Sequence, residues 1–463
     1  MTFLLVRNVL NYKEEKLVRI KFGYDSRTIK KDPKEVVWDS LKLINGHVLI
    51  MGKSGTGKTY TLKRMLNQLS EQSNGKLRCH IMDVHGDIDI DGASTVKFSE
   101  ATPYGFNPLS INPDPDFGGV RKRIQSFIAA LERTGFRLGP KQSAALRNVL
   151  YDLYAANGFY DGDPESWKIN DGRPRAKPKK QPTMEDACRY ASSKLKSMFL
   201  GTSSPTVMAL EKVHKKQGQL FRKNKQINKS AHDQAEVDKL QAEVAKLAEE
   251  TLVLFKEHLD TLQTGYEMND LLKYDSKDVM KSVVDRLENL NSIGIFRSER
   301  PPFDRNNPIW RYDIKALSPD EKKLFVSFIL EAIFHQSVQR GVQSDVVEII
   351  VLDEAHLFLT EDADNPINII AKEARKFGLG LFAASQSPTH FSDDFLSNVS
   401  TKIILGIDQM YWDGTVRKLK LDLKALEWLV PHKSLLIQLN NKGDTRNDFI
   451  WSVNDVYGNS GKK

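Results

Sequence analysis

The chain has 463 residues, of which 68 are Lys or Arg and 60 are Asp or Glu, so its formal net charge is +8. Hydrophobic residues make up 40% of the sequence and charged residues 28%, which is the balance of a globular protein and excludes a disordered or collagen-like chain. Two cysteines in so long a chain exclude a disulfide scaffold and fit a reducing compartment. The length predicts about three structural units, or one large α/β domain with an insertion.

The apolar runs are short, and the longest lie at residues 47–51, 346–352 and 434–439. A membrane-spanning helix needs about 20 apolar residues, so none is expected. The apolar start at residues 1–6 has no basic segment before it and no small-residue cleavage site after it, which argues against a signal peptide. We therefore expect a cytoplasmic protein with no membrane partner.

The first part of the chain predicts an α/β sheet. Residues 1–46 form a short N-terminal β-rich segment with strand-like stretches at 3–9 and 18–22. A buried strand at 47–51 then leads into a glycine-rich turn and a helix whose apolar residues recur at helical spacing, and further strands are predicted at 77–83 and 94–99. The order strand, turn, helix, strand predicts a parallel sheet, whose first part we place at residues 47–113.

Residues 114–307 have a different pattern, in which long helical periodicities and polar loops replace the short apolar strands. A basic, proline-bearing loop at 173–180 interrupts them, and residues 212–229 carry a second basic run. Apolar residues between Val237 and Leu254 follow a heptad-like spacing over fewer than three heptads. This pattern fits a helical hairpin, and a plain amphipathic helix fits it better still.

Strand patterns return at 309–313, 346–353, 379–385, 401–407 and 434–439. Residues 308–463 therefore make the second part of the sheet, followed by a C-terminal extension. The predicted fold class is α/β, with a mostly parallel sheet divided by a large all-α insertion.

The sequence GKSGTGKT at 52–59 matches the phosphate-binding loop pattern GxxxxGK[ST]. Glycines let the backbone curl so that N–H groups point at the phosphates, and the helix that follows adds the positive end of its dipole. We expect Lys58 to neutralise β- and γ-phosphate oxygens of ATP and Thr59 to hold Mg²⁺. The predicted nucleotide-binding residues of the loop are Gly52, Ser54, Gly55, Thr56, Gly57, Lys58 and Thr59.

The strand at 348–352 ends in the carboxylates Asp353 and Glu354. A buried strand delivers the residues that follow it to the same edge of the sheet as the phosphate loop. Asp353 is therefore predicted to reach Mg²⁺ through water, and Glu354 to polarise the water that attacks the γ-phosphate. An acidic pair that caps a helix is the alternative.

Residues 353–356 also spell DEAH, the signature of one helicase class. In that class the signature follows the phosphate loop by about a hundred residues, and a second motor domain follows. The gap from Thr59 to Asp353 is far longer here, and little chain remains after it. This alternative is therefore disfavoured.

Two further residues are predicted to act on the nucleotide. Gln386 follows the buried strand at 379–385, where it can hydrogen-bond the γ-phosphate or the attacking water, although a loop-capping role is the alternative. Arg375 precedes that strand and is predicted to act as an arginine finger donated across a subunit interface. The alternative for Arg375 is a solvated helix cation beside Lys372 and Lys376.

At these motifs the chain resembles the HerA-like branch of the FtsK/HerA superfamily of P-loop DNA translocases. The resemblance rests on the loop at 52–59, the sequence DVHGD at 83–87, LDEAH at 352–356 and, most specifically, EARKFGLGLFAASQ at 373–386. It covers about residues 45–110 and 305–455. The family usually has Glu where this chain has Asp87.

The resemblance implies a RecA-like P-loop core and a homo-hexameric ring that threads duplex DNA without sequence preference. It assigns loop, metal, catalytic, finger and sensor roles to Lys58, Thr59, Asp353, Glu354, Arg375 and Gln386. The expected function is an ATP-driven DNA translocase that works with a separate nuclease or other effector in DNA processing or antiphage defence. An ATP-dependent scaffold for an effector enzyme and a secretion or conjugation ATPase are the alternatives.

The basic runs at 173–180 and 212–229 are the candidates for DNA contact, since ring motors that bind duplex without sequence preference use Lys and Arg on exposed segments. A solvated surface is the alternative for both.

Overall fold

The computed structural model describes residues 19–73, 75–170, 172, 179–200, 204–227, 234–262, 272–360, 362, 365–444, 446 and 448–453. They form two compact units, one from the described residues up to Thr102 and from Pro301 onward, the other from Pro103 to Arg300. The boundaries at 113/114 and 307/308 that the sequence suggests stay a prediction. The strand predicted at 3–9 and residues 173–178 of the basic loop lie outside the described residues.

The first unit is built on one sheet. Its strands are β1 (Arg19–Asp25), β2 (Glu35–Asp39), β3 (Val48–Gly52), β4 (Arg78–Asp83), β5 (Ser94–Lys97), β6 (Ile309–Asp313), β7 (Glu348–Leu352), β8 (Leu379–Ser385), β9 (Thr401–Gly406), β10 (Ser434–Leu439) and β11 (Phe449–Val453). Their order across the sheet is β2-β1-β11-β10-β9-β3-β8-β7-β4-β6-β5. From β9 to β5 every neighbouring pair is parallel. The predicted mostly parallel α/β sheet is confirmed.

The helices are, in chain order, α1 (Lys58–Ser73), α2 (Val120–Glu132), α3 (Pro140–Ala156), α4 (Met184–Leu200), α5 (Ser204–Ile227), α6 (Gln234–Asp260), α7 (Lys277–Ser292), α8 (Pro319–Arg340), α9 (Pro366–Glu373), α10 (Asp393–Asn398), α11 (Trp412–Leu419) and α12 (Leu423–Glu427). Short 3₁₀ helices lie at Pro164–Trp167, Ala355–Phe358, Ala374–Phe377, Pro388–His390 and Gln409–Tyr411. In the part of the chain that the structure describes, no helix is both long and apolar enough to cross a membrane.

The central strands are buried on both faces, as their continuous apolar sequences predict. Every residue of β3, β7 and β8 is buried. Helix α1 turns its apolar stripe of Leu62, Met65, Leu66 and Leu69 towards this sheet, and all four side chains belong to the same core as Ile50. The middle of the sheet is therefore a rigid platform for the residues that follow its strands.

The antiparallel side of the sheet was predicted only in part, because β2 and β11 were missed. Both strands are five residues long and mix apolar with charged or polar side chains. Strand β1 joins them, and it bends at Gly23, whose φ is +119° and where a Cβ would lie 2.1 Å from the carbonyl oxygen of Val453. Only glycine fits that close approach.

The described part of the second unit is all helical, which confirms the predicted all-α insertion. Helices α5 and α6 form the helical hairpin that the heptad-like spacing left as one of two possibilities. Lys216 pairs with Glu250 at 2.5 Å and Lys223 with Glu243 at 2.6 Å. As the residue number rises along α5 it falls along α6, so the two helices run antiparallel.

His47, immediately before β3, makes the stability of the sheet depend on pH. The side chain is fully buried, and its Nδ1 accepts a 3.1 Å hydrogen bond from the backbone N–H of Leu381. Burial lowers the pKa of His47 from 6.5 to about 4, because the charged imidazole loses its hydration. Between pH 6.5 and about 4, the unfolded chain therefore binds a proton at His47 and the folded chain does not.

We predict that His47 removes about 2 kcal/mol of stability when the pH falls from 7 to 5. In the His47→Gln variant the amide oxygen can still accept the hydrogen bond from Leu381. This variant should lose about 2 kcal/mol less stability than wild type over the same pH interval. Denaturant unfolding at the two pH values measures the difference. His335→Gln is the matched control, since His335 is partly exposed beside Glu331. An unchanged pH dependence in His47→Gln would contradict the assignment.

Candidate functional site

The glycine-rich turn between β3 and α1 is held in a fixed curl. Gly55 and Gly57 have φ of +79° and +97°, which only glycine adopts without strain. The hydroxyl of Thr56 donates a 2.8 Å hydrogen bond to the carbonyl of Lys53. A Cβ on Gly52 would lie 2.4 Å from that hydroxyl oxygen, so this position also requires glycine. The turn thus places backbone N–H groups at the start of α1, an arrangement that binds phosphate.

The register of the sheet brings several strand ends to the same edge. Met51 of β3 pairs with Ser385 of β8, and Leu352 of β7 pairs with Met82 of β4. All four strands are parallel, so the segments after them emerge together. The glycine-rich turn, the carboxylates after β7 and the loop after β4 therefore share one edge.

These segments enclose an open cleft of about 370 Å³. The cleft brings together seven of the predicted site residues, and four residues that the sequence did not assign to it line it as well. The lining residues are Ser54, Gly55, Gly57, Lys58, Thr59, Tyr60, His85, Asp87, Asp353, Glu354 and His432. Gly52 and Thr56 lie within the turn itself.

Lys58 lies between the turn and the carboxylates. Its side chain is buried, and its Nζ donates a 2.8 Å hydrogen bond to the carbonyl of Gly52. The same Nζ lies 3.8 Å from Oε1 of Glu354. A buried ammonium group at the N-terminus of a helix is a strong point of attraction for phosphate oxygens.

Asp353 and Glu354 carry their charges in a confined space. Burial, with Glu354 and Asp87 nearby, raises the pKa of Asp353 to about 6. Glu354 has a left-handed backbone with φ of +48°. Its Oε2 is buried, lies 3.3 Å from Nδ1 of His356 and makes no aligned hydrogen bond to a described residue. A left-handed conformation at a residue other than glycine and a buried carboxylate oxygen without an aligned donor are typical of functional sites.

Mg²⁺ fits the chemistry of this edge. The cation prefers one or two carboxylates and completes its shell with phosphate oxygens and water. Asp353 and the hydroxyl of Thr59 both line the cleft and supply oxygen ligands. Within the described ranges no group of three or more His, Cys, Asp or Glu side chains could hold a metal ion.

Asp83 shapes the loop after β4 rather than facing the cleft. The side chain has no exposed surface, and its oxygens accept hydrogen bonds from the backbone N–H groups of Gly86 at 2.7 Å and Ile88 at 3.1 Å. Arg311 of β6 pairs with it at 2.7 Å. This loop presents His85 and Asp87 to the cleft. The DVHGD sequence marked this segment, but it gave no reason to choose His85.

Gln386 and Arg375 lie outside the cleft. Gln386 follows β8 at the same edge as the turn, and it is exposed. Arg375 is also exposed, in the 3₁₀ turn that precedes β8. The seven residues of β8 separate the two positions by about 20 Å, so Arg375 lies at the opposite edge of the sheet from the glycine-rich turn.

A pair of histidines connects Glu354 to the segment after β8. Nδ1 of His356 lies 3.3 Å from Oε2 of Glu354, and the ring of His356 packs against that of His390 with centroids 4.8 Å apart. The hydroxyl of Ser385 lies 3.1 Å from Nδ1 of His390. Burial lowers the pKa of both histidines, which keeps this cluster largely uncharged beside the carboxylate at neutral pH.

His432 contacts the turn from the other side. Its Nε2 lies 3.1 Å from the carbonyl oxygen of Gly55, and a Cβ on Gly57 would lie 3.0 Å from its ring. Sequence reasoning missed this residue because the loop before β10 carries no motif.

Comparison with known proteins assigns this chain to a family. The chain is 30% identical over 162 residues to a probable helicase of Methanocaldococcus jannaschii, a segment that spans 30% of each protein. It is 28% identical over 148 residues, 24% of this chain and 27% of the relative, to the DNA double-strand break repair helicase HerA of Pyrococcus furiosus. The chain thus spans less than a third of the length of these curated relatives.

The structure of VirB4 from Thermoanaerobacter pseudethanolicus is similar over 93% of this chain and 95% of that one, with a TM-score of 0.60 and 16% identity. At that identity the likeness shows the fold alone, and it agrees with the RecA-like P-loop core that the resemblance implied. The family model described as "Helicase HerA, central domain" matches residues 27–333, which is more than half of the chain. The chain therefore belongs to the HerA central-domain family of P-loop ATPases.

Proposed function

We propose that this protein is an ATP-hydrolysing ring motor that translocates DNA. The observation that carries the proposal is the cleft in which Lys58 of the glycine-rich turn lies 3.8 Å from Glu354, next to the buried Asp353. Two of the relatives are named helicases, which supports DNA as the substrate on which the motor acts. A companion nuclease or other effector, in DNA processing or antiphage defence, belongs to the same proposal.

Different residues of the cleft have different roles in hydrolysis. Backbone N–H groups of residues 54–59 and the ammonium group of Lys58 bind and orient the β- and γ-phosphates of ATP. Bound Mg²⁺, held through Thr59 and Asp353, would supply positive charge to the phosphate oxygens. Glu354 accepts a hydrogen bond from the attacking water through Oε2, which makes no aligned hydrogen bond to a described residue, and thereby orients the water.

We predict that Lys58→Ala and Glu354→Gln both lower ATP turnover by about 100-fold or more, but that only Lys58→Ala weakens ATP binding. Gln has the shape of Glu but no negative charge, so its amide oxygen is a weaker acceptor that no longer polarises the attacking water, while the phosphate contacts remain. Phosphate release and calorimetric titration separate the two effects. Glu427→Gln, on the exposed surface of α12, is the control. Equal turnover by Glu354→Gln and wild type would end the assignment of Glu354.

Within this proposal, the position of Arg375 in the sheet implies a ring. An arginine finger stabilises the charge that develops on the γ-phosphate. Arg375 lies at the opposite edge of the sheet from the phosphate-binding turn, so it cannot reach the ATP bound by its own chain. A neighbouring copy in a closed ring, most simply a hexamer, supplies the arginine that each cleft needs. Gln386, at the cleft's own edge, is then the sensor of the γ-phosphate.

Mixing experiments test that arrangement. Arg375→Ala and Lys58→Ala subunits should each be inactive alone, with losses of about 1,000-fold or more for the missing finger. In mixed rings some interfaces join an intact cleft to an intact Arg375, so turnover should exceed the sum of the two separate variants. Lys376→Ala, next to Arg375 and also exposed, is the matched control and should keep its activity. Mixtures that never exceed that sum would exclude a finger in trans.

The basic run on α5 is the stronger of the two candidate DNA contacts. Lys215, Arg222 and Lys225 are exposed and lie within about 80° of one another around the helix axis. In the loop at 173–180, Lys179 is buried, with its Nζ 4.1 Å from the ring centroid of Phe159. Lys179 is therefore not available for DNA, and residues 173–178 lie outside the described part of the chain.

We predict that duplex DNA stimulates ATP turnover and that the protein displaces a triplex-forming strand in an ATP-dependent reaction. Replacing Lys215, Arg222 and Lys225 by Gln should weaken DNA binding. It should also make the slope of log affinity against log salt concentration shallower by up to about three. The matched control replaces Lys30, Lys31 and Lys34, an equally exposed basic group. Slow ATP hydrolysis that DNA does not stimulate, together with ATP-dependent assembly, would instead favour the alternative function as a scaffold for an effector enzyme.

A further inference from the structure

The proposed function leaves open where the nucleoside part of ATP lies, and the strand order restricts it. Strands β8, β7 and β4 lie on one side of β3, and β9 and β10 lie on the other. Asp353, Glu354 and Asp87 follow strands of the first side. Since Glu354 has to face the γ-phosphate, the chain of phosphates runs away from these carboxylates. The nucleoside must therefore extend towards the side of β9 and β10.

A shallow recess lies on that side and adjoins the cleft. It is formed by α1, by β1 and by the start of β10, and three residues line both the cleft and the recess, namely Gly57, Tyr60 and His432. Strand β10 runs antiparallel to β9, so its first residue lies at the same edge as the glycine-rich turn. The loop that carries His432 is thereby placed beside the path that leads out of the cleft.

Two aromatic residues, Tyr60 and His432, are exposed at this recess. Tyr60 follows Thr59 directly in the first turn of α1 and is 62% exposed. His432 has a left-handed backbone with φ of +63°, and its Nε2 lies 3.1 Å from the carbonyl oxygen of Gly55. Exposed rings beside a phosphate-binding turn provide faces on which a base can stack.

Arg64 adds a donor to the same recess. It lies one helical turn after Tyr60 on α1, where residues four apart are neighbours. It is half-buried and lines the recess, and it makes neither a hydrogen bond nor an ion pair to another described residue. A guanidinium group presents several donors in one plane, which suits the oxygen and nitrogen acceptors of a ribose or a purine ring.

We propose that Tyr60, Arg64 and His432 form the nucleoside subsite of this ATPase. The base stacks on the rings of Tyr60 and His432, and Arg64 donates to the ribose or the base. The chemical class is a purine nucleotide, because purines offer the larger stacking surface. This subsite rests on the proposed function, since it assumes that the cleft holds a nucleoside triphosphate with its γ-phosphate at Glu354.

Calorimetric titration of the full chain with two probes tests the subsite. The probes are ATP and inorganic tripolyphosphate, each with Mg²⁺; the second has the phosphates and no nucleoside. Tyr60→Ala, Arg64→Met and His432→Ala should each bind ATP about 10-fold more weakly or worse, and bind tripolyphosphate within about two-fold of wild type. Tyr60→Phe, which keeps the ring, should restore ATP binding. The control Tyr160→Ala removes a tyrosine that is 47% exposed in the helical unit, and should change neither affinity.

Each of the other outcomes contradicts a different part of the proposal. Variants that bind both probes like wild type would exclude the subsite and leave the ATPase intact. An equal loss for both probes would mean that Tyr60, Arg64 and His432 only support the glycine-rich turn. If wild type binds neither probe, the proposed ATPase function fails and the subsite with it. Equal affinities of wild type for ATP and CTP would contradict the preference for a purine.

Discussion

The balance of charge at one edge of the sheet is the constraint on which the candidate site depends. Asp353 and Glu354 follow β7, Asp87 follows β4, and Lys58 is the cation among the residues that line their shared cleft. Three carboxylates against one ammonium group leave the cleft short of positive charge. Burial is the main cause of the raised pKa of Asp353, and the charges of Glu354 and Asp87 raise that pKa further. A phosphate alone would worsen the imbalance, and Mg²⁺ that arrives with it would offset part of the added negative charge. The electrostatics therefore favour a metal–nucleotide complex over a free nucleotide.

The sheet keeps these charges in place against their mutual repulsion. Strands β3 and β7 are buried along their whole length, so the residues that follow them have little freedom to move apart. The loop after β4 is restrained through Asp83, whose carboxylate binds two backbone N–H groups and Arg311 at once. Asp83 and Asp353 thus have separate roles although both lie at the ends of parallel strands. One organises a loop, and the other faces the cleft.

The sequence predicted the parts of this protein that local patterns determine. The placement of Lys58 and Asp353 at one edge of the sheet could be predicted because a glycine-rich turn and a buried strand that ends in carboxylates each have a local signature, and the parallel sheet followed from the apolar strands. Strands β2 and β11 were missed because each is only five residues long and mixes apolar with charged or polar side chains, so no continuous apolar run marks it. His432 was missed for a different reason, since its loop carries no motif and its contact with Gly55 joins residues 377 positions apart. The position of Arg375 relative to the cleft required the strand order.

The histidine pair beside Glu354 links the two ends of the site that nucleotide hydrolysis has to coordinate. His356 contacts the carboxylate of Glu354, and His390 lies four residues after Gln386, the predicted sensor of the γ-phosphate. Ser385 joins the two rings, with its hydroxyl 3.1 Å from His390 and 3.5 Å from His356. Nδ1 of His356 cannot at the same time donate to Glu354 and accept from Ser385, because a neutral ring nitrogen does one or the other. A shift of the segment after β8 would therefore change the hydrogen bond available to Glu354, the residue that we propose orients the attacking water.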